Sequence, residues 1–345
     1  MARVVVVHGV GRQLDTAETL QPALEAALRG GLNLALERDP ALAARVPTLT
    51  AGDVACVGYG HLFRRSGARG GVPDFDATDV EPGFETELLL AWWEAAAATD
   101  PAVLGPDAAT RGMLGYAASR PLTTATVQRA LDALTRSRFF RAVSDSLLIA
   151  DLKQFRRYLT DGDLRAAVRA RTDALIGPDT RVVVGHSLGS VVAYETLCAR
   201  RTGQVVSLVT LGSPLGIRNL TFDRLQPPPR EGTGVWPPGL RHWHNVADAG
   251  DIVALVRDLA PRFGPRVRDH RVHNGTTMHS MTAYLTAVET GAAIAEGLSE
   301  AAGPDGAGAA EPDGAGAAEP GGTGAASGGT RPGVREPAAP GEPAP

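Results

Sequence analysis

The chain has 345 residues, 43% of them hydrophobic, enough for one substantial core with a small appendage, and a formal net charge of -4. That charge sits in the tail: residues 298–345 hold seven acidic residues against two arginines, and the preceding residues carry about +1 from 32 basic and 31 acidic side chains. A near-neutral body without a basic block excludes an electrostatic footprint for nucleic acid, and two cysteines, Cys56 and Cys198, exclude a disulfide framework or a paired-cysteine metal site.

The N-terminus reads MARVVVVHGVGR. Its four valines are too few for the apolar stretch of a secretory signal, so Val4–Val7 is expected to be a first core strand. No apolar stretch reaches the ~18–20 residues of a bilayer span, and a cytoplasmic protein is expected. A helix is predicted over Ala17–Glu37 and a second strand over Val54–Val57. Between residues 61 and 177 the pattern changes to helices at Glu85–Ala98, Thr124–Phe140 and Ser144–Thr160. This block reads as a helical insertion acting as a lid or cap. Its run LLLAWWEAAAA has two readings: a core-packing helix, or an acyl-chain wall or lid that gives peripheral membrane contact.

Further strands are predicted at Arg181–Val184, Val205–Leu211, His242–Ala247 and Arg266–Val272. Strands apolar on both faces and separated by helices imply an α/β protein with a mostly parallel sheet covered on both sides. The folded domain is expected to span 1–298. Residues 299–345 contain the near-repeat PDGAGAAEPDGAGAAEPGG, whose Gly, Ala, Pro and Glu cannot bury enough surface to offset chain entropy, and are expected to be disordered.

The chemistry concentrates in RVVVGHSLGSVVAYE, residues 181–195. A buried strand runs into Gly185-His186-Ser187-Leu188-Gly189 and an apolar-faced helix follows, which is the pattern of a nucleophile elbow centred on Ser187. A tight turn there crowds the positions two before and two after the serine, and glycine relieves both. The helix N-terminus offers free N–H groups to developing negative charge. A tetrahedral intermediate needs two such donors. The N–H of Leu188 is one, and the N–H of Val10 is the second, with Gly9 and Gly11 shaping the turn after the first strand. A phosphate-cradling loop is not indicated, because neither G-K-[ST] nor a complete G-x-G-x-x-G follows. His8 reads as a structural hydrogen-bonder.

A serine nucleophile needs an acid and then a histidine, in that chain order. WHNVADAGDIVALV supplies Asp248 and Asp251, and the residue pattern leaves both open. Among His270, His273 and His279, the last opens a helical segment after a flexible NGTTM loop and is the expected base. The other two fall in or beside a strand. No H-x-x-x-H or carboxylate cluster is present, so neither a metal nor another cofactor is expected.

Together, GHSLGSVVAYETL, LGSPLG, NVADAGDIVALV and a late histidine before a helical YL resemble the DDHD-domain phospholipases and the inositol-deacylase type of lipase-like α/β-hydrolase. The resemblance covers about residues 181–290 and the HGVG turn. It implies the α/β-hydrolase fold, and it places the acid on Asp251, with Asp248 as the alternative. Ile252 stands where that family has proline, and Ser280–Ala287 lacks its further acidic residue, so its metal-binding role is not expected here. The implied activity is hydrolysis of acyl esters by an esterase or lipase, with phospholipids among the substrates, through a Ser187–His279–Asp251 triad. A serine amidase or peptidase, or a non-catalytic binding module on the same fold, are the alternatives.

Overall fold

The computed structural model describes residues 1–64, 74–106, 123–140, 143–201 and 203–300. Contacts divide the chain into Met1–Gly306 and Ala307–Pro345. All described residues belong to the first unit; the tail, apart from its first two residues, lies outside them.

The chain begins with β1 (Val4–Val7), α1 (Ala17–Arg38), α2 (Pro40–Ala43) and β2 (Val54–Val57). Among the described residues four α-helices follow: α3 (Phe84–Thr99), α4 (Thr124–Arg136), α5 (Asp145–Thr160) and α6 (Gly162–Leu175). Then come β3 (Val182–His186), α7 (Leu188–Ala199), β4 (Ser207–Leu211) and β5 (His242–Asp248). The described part closes with α8 (Ala260–Phe263), β6 (Val267–Val272), α9 (Met281–Thr286) and α10 (Val288–Ser299).

The six strands form one sheet in the order β2-β1-β3-β4-β5-β6, and every pairing is parallel. Successive side chains on a strand point to opposite faces. Val4, Val6, Val182 and Val184 therefore pack with leucines of α1 and with α9 and α10, whereas Val5, Val7 and Val183 pack under α3 to α7. Both faces are covered over β1 and β3, which is why these strands read as near-unbroken apolar runs, whereas the edge strand β6 (VRDHRV) is partly exposed. Helix α1 starts where the Thr16 side chain accepts the Thr19 N–H, and Leu20, Leu24, Leu28 and Leu32 make its buried stripe.

The block expected over 61–177 has two parts. Helices α3, α4 and α5 pack on one another, while α6 lies against α7 and β2 as the helix leading into β3. Within α3, Leu88, Leu89, Leu90, Trp92 and Trp93 are at most 4% exposed, so LLLAWWEAAAA packs into the core and offers no apolar face to a membrane. Helices α5, α6 and α7 are tied by a buried ion pair. Glu195 on α7 binds Arg165 of α6, the Tyr158 hydroxyl of α5 at 2.8 Å and the Gln226 N–H at 3.0 Å. With every charge partnered, that cluster avoids an uncompensated desolvation cost. Among the described residues no helix is long and apolar enough to cross a membrane. Both cysteines are free.

Candidate active site

From β1 the chain passes to one edge of the sheet, and from β3 it runs towards the other. Helices α1 and α7, which leave these neighbouring strands, lie on opposite faces. A crevice opens at the carboxyl ends of strands diverging in this way, and open α/β sheets bind ligands there. The loops after β1 and β3 hold His8-Gly9-Val10-Gly11 and Ser187.

Ser187 sits between β3 and α7 at φ 53°, ψ -128°, a left-handed conformation that costs a non-glycine residue ~1–3 kcal/mol and persists only when its surroundings enforce it. The flanking glycines are enforced by close approach. A β-carbon on Gly189 would overlap the carbonyl oxygens of Val7 and His8, and one on Gly185 would lie 2.6 Å from Gly189 O and Ser190 Cα. The turn is pinned by a short relay. Ser190 Oγ–H donates to the Ser187 carbonyl at 2.6 Å, Ser213 Oγ–H donates to Ser190 Oγ at 2.7 Å, and Ser213 Oγ accepts the Leu215 N–H at 3.2 Å. The GSPLG segment after β4 thus supports the elbow, a link that local sequence does not reveal.

The loop after β1 packs directly on the serine: a β-carbon on Gly9 would stand 2.8 Å from Ser187 Cβ. Among the described residues, neither the Val10 N–H nor the Leu188 N–H donates to a protein acceptor. The Gly11 N–H is occupied by Gln154 Oε1 at 3.3 Å, and Gln154 also donates to Gln13 Oε1 at 3.2 Å. Helix α5 therefore braces this loop. His8 is buried and stacks on Tyr59 at 4.1 Å; its Nδ1–H donates to the Gly9 carbonyl at 2.7 Å. Burial pulls its pKa down to about 4, so the ring is neutral near pH 7 and serves as a prop.

Asp251 and His279 are brought together: His279 Nδ1–H donates to Asp251 Oδ2 at 2.7 Å. The same oxygen accepts the Tyr284 hydroxyl at 2.8 Å, and Oδ1 accepts the N–H groups of Val253 and Ala254 at 2.9 and 3.3 Å. Complete burial alone would raise this carboxyl's pKa. The attraction of His279 and the donated hydrogen bonds outweigh it, and Asp251 is held below the usual carboxylate range. Tyr284 also accepts the Asp248 N–H at 2.8 Å and so joins the two aspartates. Asp248 does not touch the imidazole. Its carboxylate accepts from Gly250 N–H at 2.6 Å and from Asn274 N–H, which anchors the loop leading to His279.

His279 is 31% exposed at its side chain and leaves Nε2 without a protein partner among the described residues. No hydrogen bond joins it to Ser187 Oγ, an arrangement common before substrate tightens a site. His186, the residue before the serine, lies against His279 with ring centroids 4.6 Å apart and planes tilted by 40°, and donates Nε2–H to its carbonyl at 3.0 Å. Burial, with His279 adding to it, keeps His186 neutral. His270 faces away in β6, where it contacts His244 at 3.0 Å, and His273 is exposed beyond that strand. Among the described residues no group of His, Cys, Asp and Glu could hold a metal.

Tyr284 had one sequence signal, the helical YL after His279; Ser190 and Ser213 lie within the GHSLGS and LGSPLG motifs but carried no assigned role, and Gln154 had no signal at all. Compared with protein-family models, curated proteins and solved structures, the chain has no significant match.

Proposed function

We propose that the protein is a serine hydrolase of the α/β-hydrolase type that cleaves acyl esters, with Ser187 as nucleophile, His279 as base and Asp251 as the acid that orients it. The observation that carries this reading is the buried Asp251 carboxylate receiving His279 Nδ1–H at 2.7 Å, at the end of the sheet where Ser187 is held in its strained turn.

In this mechanism Ser187 Oγ attacks the ester carbonyl while His279 Nε2 takes its proton. Asp251 stabilises the imidazolium without being protonated. The tetrahedral oxyanion falls to the N–H groups of Leu188 and Val10, both without acceptors among the described residues. Collapse breaks the carbon–oxygen bond to the alcohol, which leaves with the proton from His279. Water then attacks the acyl-enzyme by the same base and frees the acid. Helices α3 to α5 serve as the cap, through the contact of α5 with the Gly11 loop.

A fluorophosphonate probe should label the protein and fail to label Ser187→Ala. A folded wild-type protein that stays unlabelled would sink the reading. A series of p-nitrophenyl esters beside peptide amides fixes the bond cleaved, and turnover of amides alone would overturn the esterase assignment.

A further inference from the structure

We propose that Asp151 is a specificity residue whose carboxylate receives a positively polarised group, ammonium or hydroxyl, carried by the substrate close to the scissile ester. The inference rests on the serine-hydrolase reading above and assigns the substrate class of that site.

Asp151 lies on α5, three residues before Gln154, which holds the Gly11 N–H. A β-carbon on Gly11 would be 3.3 Å from Asp151 Oδ1 and 3.7 Å from Oδ2, so the carboxylate faces the loop that carries the proposed oxyanion donor Val10. Among the described residues it takes part in no hydrogen bond or ion pair. Fully buried carboxylates elsewhere in the fold are satisfied: Asp251 accepts four hydrogen bonds, and Glu85 binds both Lys153 and Arg156. Nearby Arg12 is engaged by Asp15 at 3.3 Å.

Asp151 keeps part of its surface open while protein rings it on nearly every side. That enclosure pushes its carboxyl up to about 7, against the pull of His279 and Arg12. A carboxylate with neither full hydration nor a partner is destabilised. Beside an oxyanion site its charge also opposes the charge the reaction develops. Both costs fall when a donor or cation on the substrate takes the vacant lone pairs, and an all-alkyl chain relieves neither. Esters carrying an amine-derived cation or a hydroxyl beside the ester therefore suit this site better than plain long-chain esters.

The test uses p-nitrophenyl methylphosphonates in two matched pairs of alkoxy arm: 2-trimethylammonioethyl against 3,3-dimethylbutyl, and 2-hydroxyethyl against propyl. Each reacts by forming the Ser187 Oγ–phosphorus bond and expelling p-nitrophenolate with its electron pair, the serine proton passing to His279. The released phenolate gives the rate without knowledge of the natural substrate.

Wild type should react faster with the ammonium or the hydroxyl arm than with its alkyl partner by about tenfold or more, the scale of a close charge pair for the first and of a hydrogen bond to a charged group for the second. The preference should vanish in Asp151→Ala. In Asp151→Asn a hydroxyl preference should partly survive and an ammonium preference should not, which tells the two sources apart. An ammonium preference should also grow as pH rises through about 7 and Asp151 ionises. Equal rates within both pairs, or a preference that persists in Asp151→Ala, overturn this inference alone. Failure of every arm to react with protein shown to be folded by circular dichroism overturns the hydrolase reading and this inference with it.

Discussion

Replacing Asp251 by asparagine changes one oxygen into NH2, and the surrounding donors dictate the result. Oδ1 meets two backbone N–H groups, of Val253 and Ala254, that cannot turn away. The amide oxygen must face them, so the NH2 faces His279 Nδ1 and the Tyr284 hydroxyl, both donors to Oδ2 in the native site. The imidazole can meet an NH2 only with a bare Nδ1, which moves its proton to Nε2. An imidazole protonated at Nε2 cannot take the serine proton. On the proposed reading a loss of ~10⁴ in kcat is expected, on the precedent of serine-hydrolase triads, or about 5.5 kcal/mol of transition-state stabilisation. Asp248→Asn is the control, because its carboxylate meets Gly250 and Asn274 and never the imidazole. It should lower stability by ~1–3 kcal/mol and slow the reaction far less. Phosphonylation rates and urea denaturation measure the two effects. A larger rate loss in Asp248→Asn than in Asp251→Asn would refute the assignment.

Gly189→Ala forces a β-carbon against the Val7 and His8 carbonyls, so α7 must move away from β1. It should cost ~1–3 kcal/mol, seen in thermal melting as a drop of ~1.5–2 °C per kcal/mol for a folded unit of this size. An unchanged melting temperature would contradict the packing. Tyr284→Phe removes a donor from Asp251 and strands the buried Asp248 N–H; a loss of ~1–3 kcal/mol by urea denaturation, with slower phosphonylation, is expected. Stability should also fall in acid. The unfolded chain protonates His8 near pH 6.5 but the folded chain only near about 4, so the unfolded state binds more protons between those values. By pH 4 this removes about 3 kcal/mol, with buried His186 acting in the same direction. Urea denaturation at several pH values should show the slope, reduced in His8→Asn; a flat profile would mean these rings are not held neutral.

What could be read from sequence was what is local. Val4–Val7 and Val54–Val57 are strands at the predicted bounds because a short apolar run must be buried on both faces. The Ser187 turn was legible because a tight strand–helix junction restricts residues two positions either side. By contrast, the apolar pattern of α4 suggested a helix to Phe140, yet it ends at Arg136, where Ser137 turns extended and its hydroxyl bonds the Leu134 carbonyl. The choice between Asp248 and Asp251 was not legible in the residues alone. They stand three apart in one turn, closed by the Asp251 N–H donating to the Asp248 carbonyl, and only the packing of Tyr284 and His279 distinguishes them.

The least legible part is the contribution of α5. Its periodicity predicts a buried stripe, but a stripe says nothing about which distant segment it meets. Gln154 reaches Gly11 and Asp151 faces the same glycine across about 140 residues of chain, on a helix that otherwise looks like one more member of the block. The consequence is physical as well as informational. Ser187, His279 and Asp251 sit on loops fixed by the sheet, so their geometry answers to β3, β5 and β6. The His8–Gly11 loop and the Asp151 carboxylate, unpartnered among the described residues, answer to α5 instead. On the proposed reading, substitutions on the α5 face toward Gly11 should therefore alter which ester is preferred while the His279–Asp251 pair stays intact, and substitutions around Tyr284 should do the opposite.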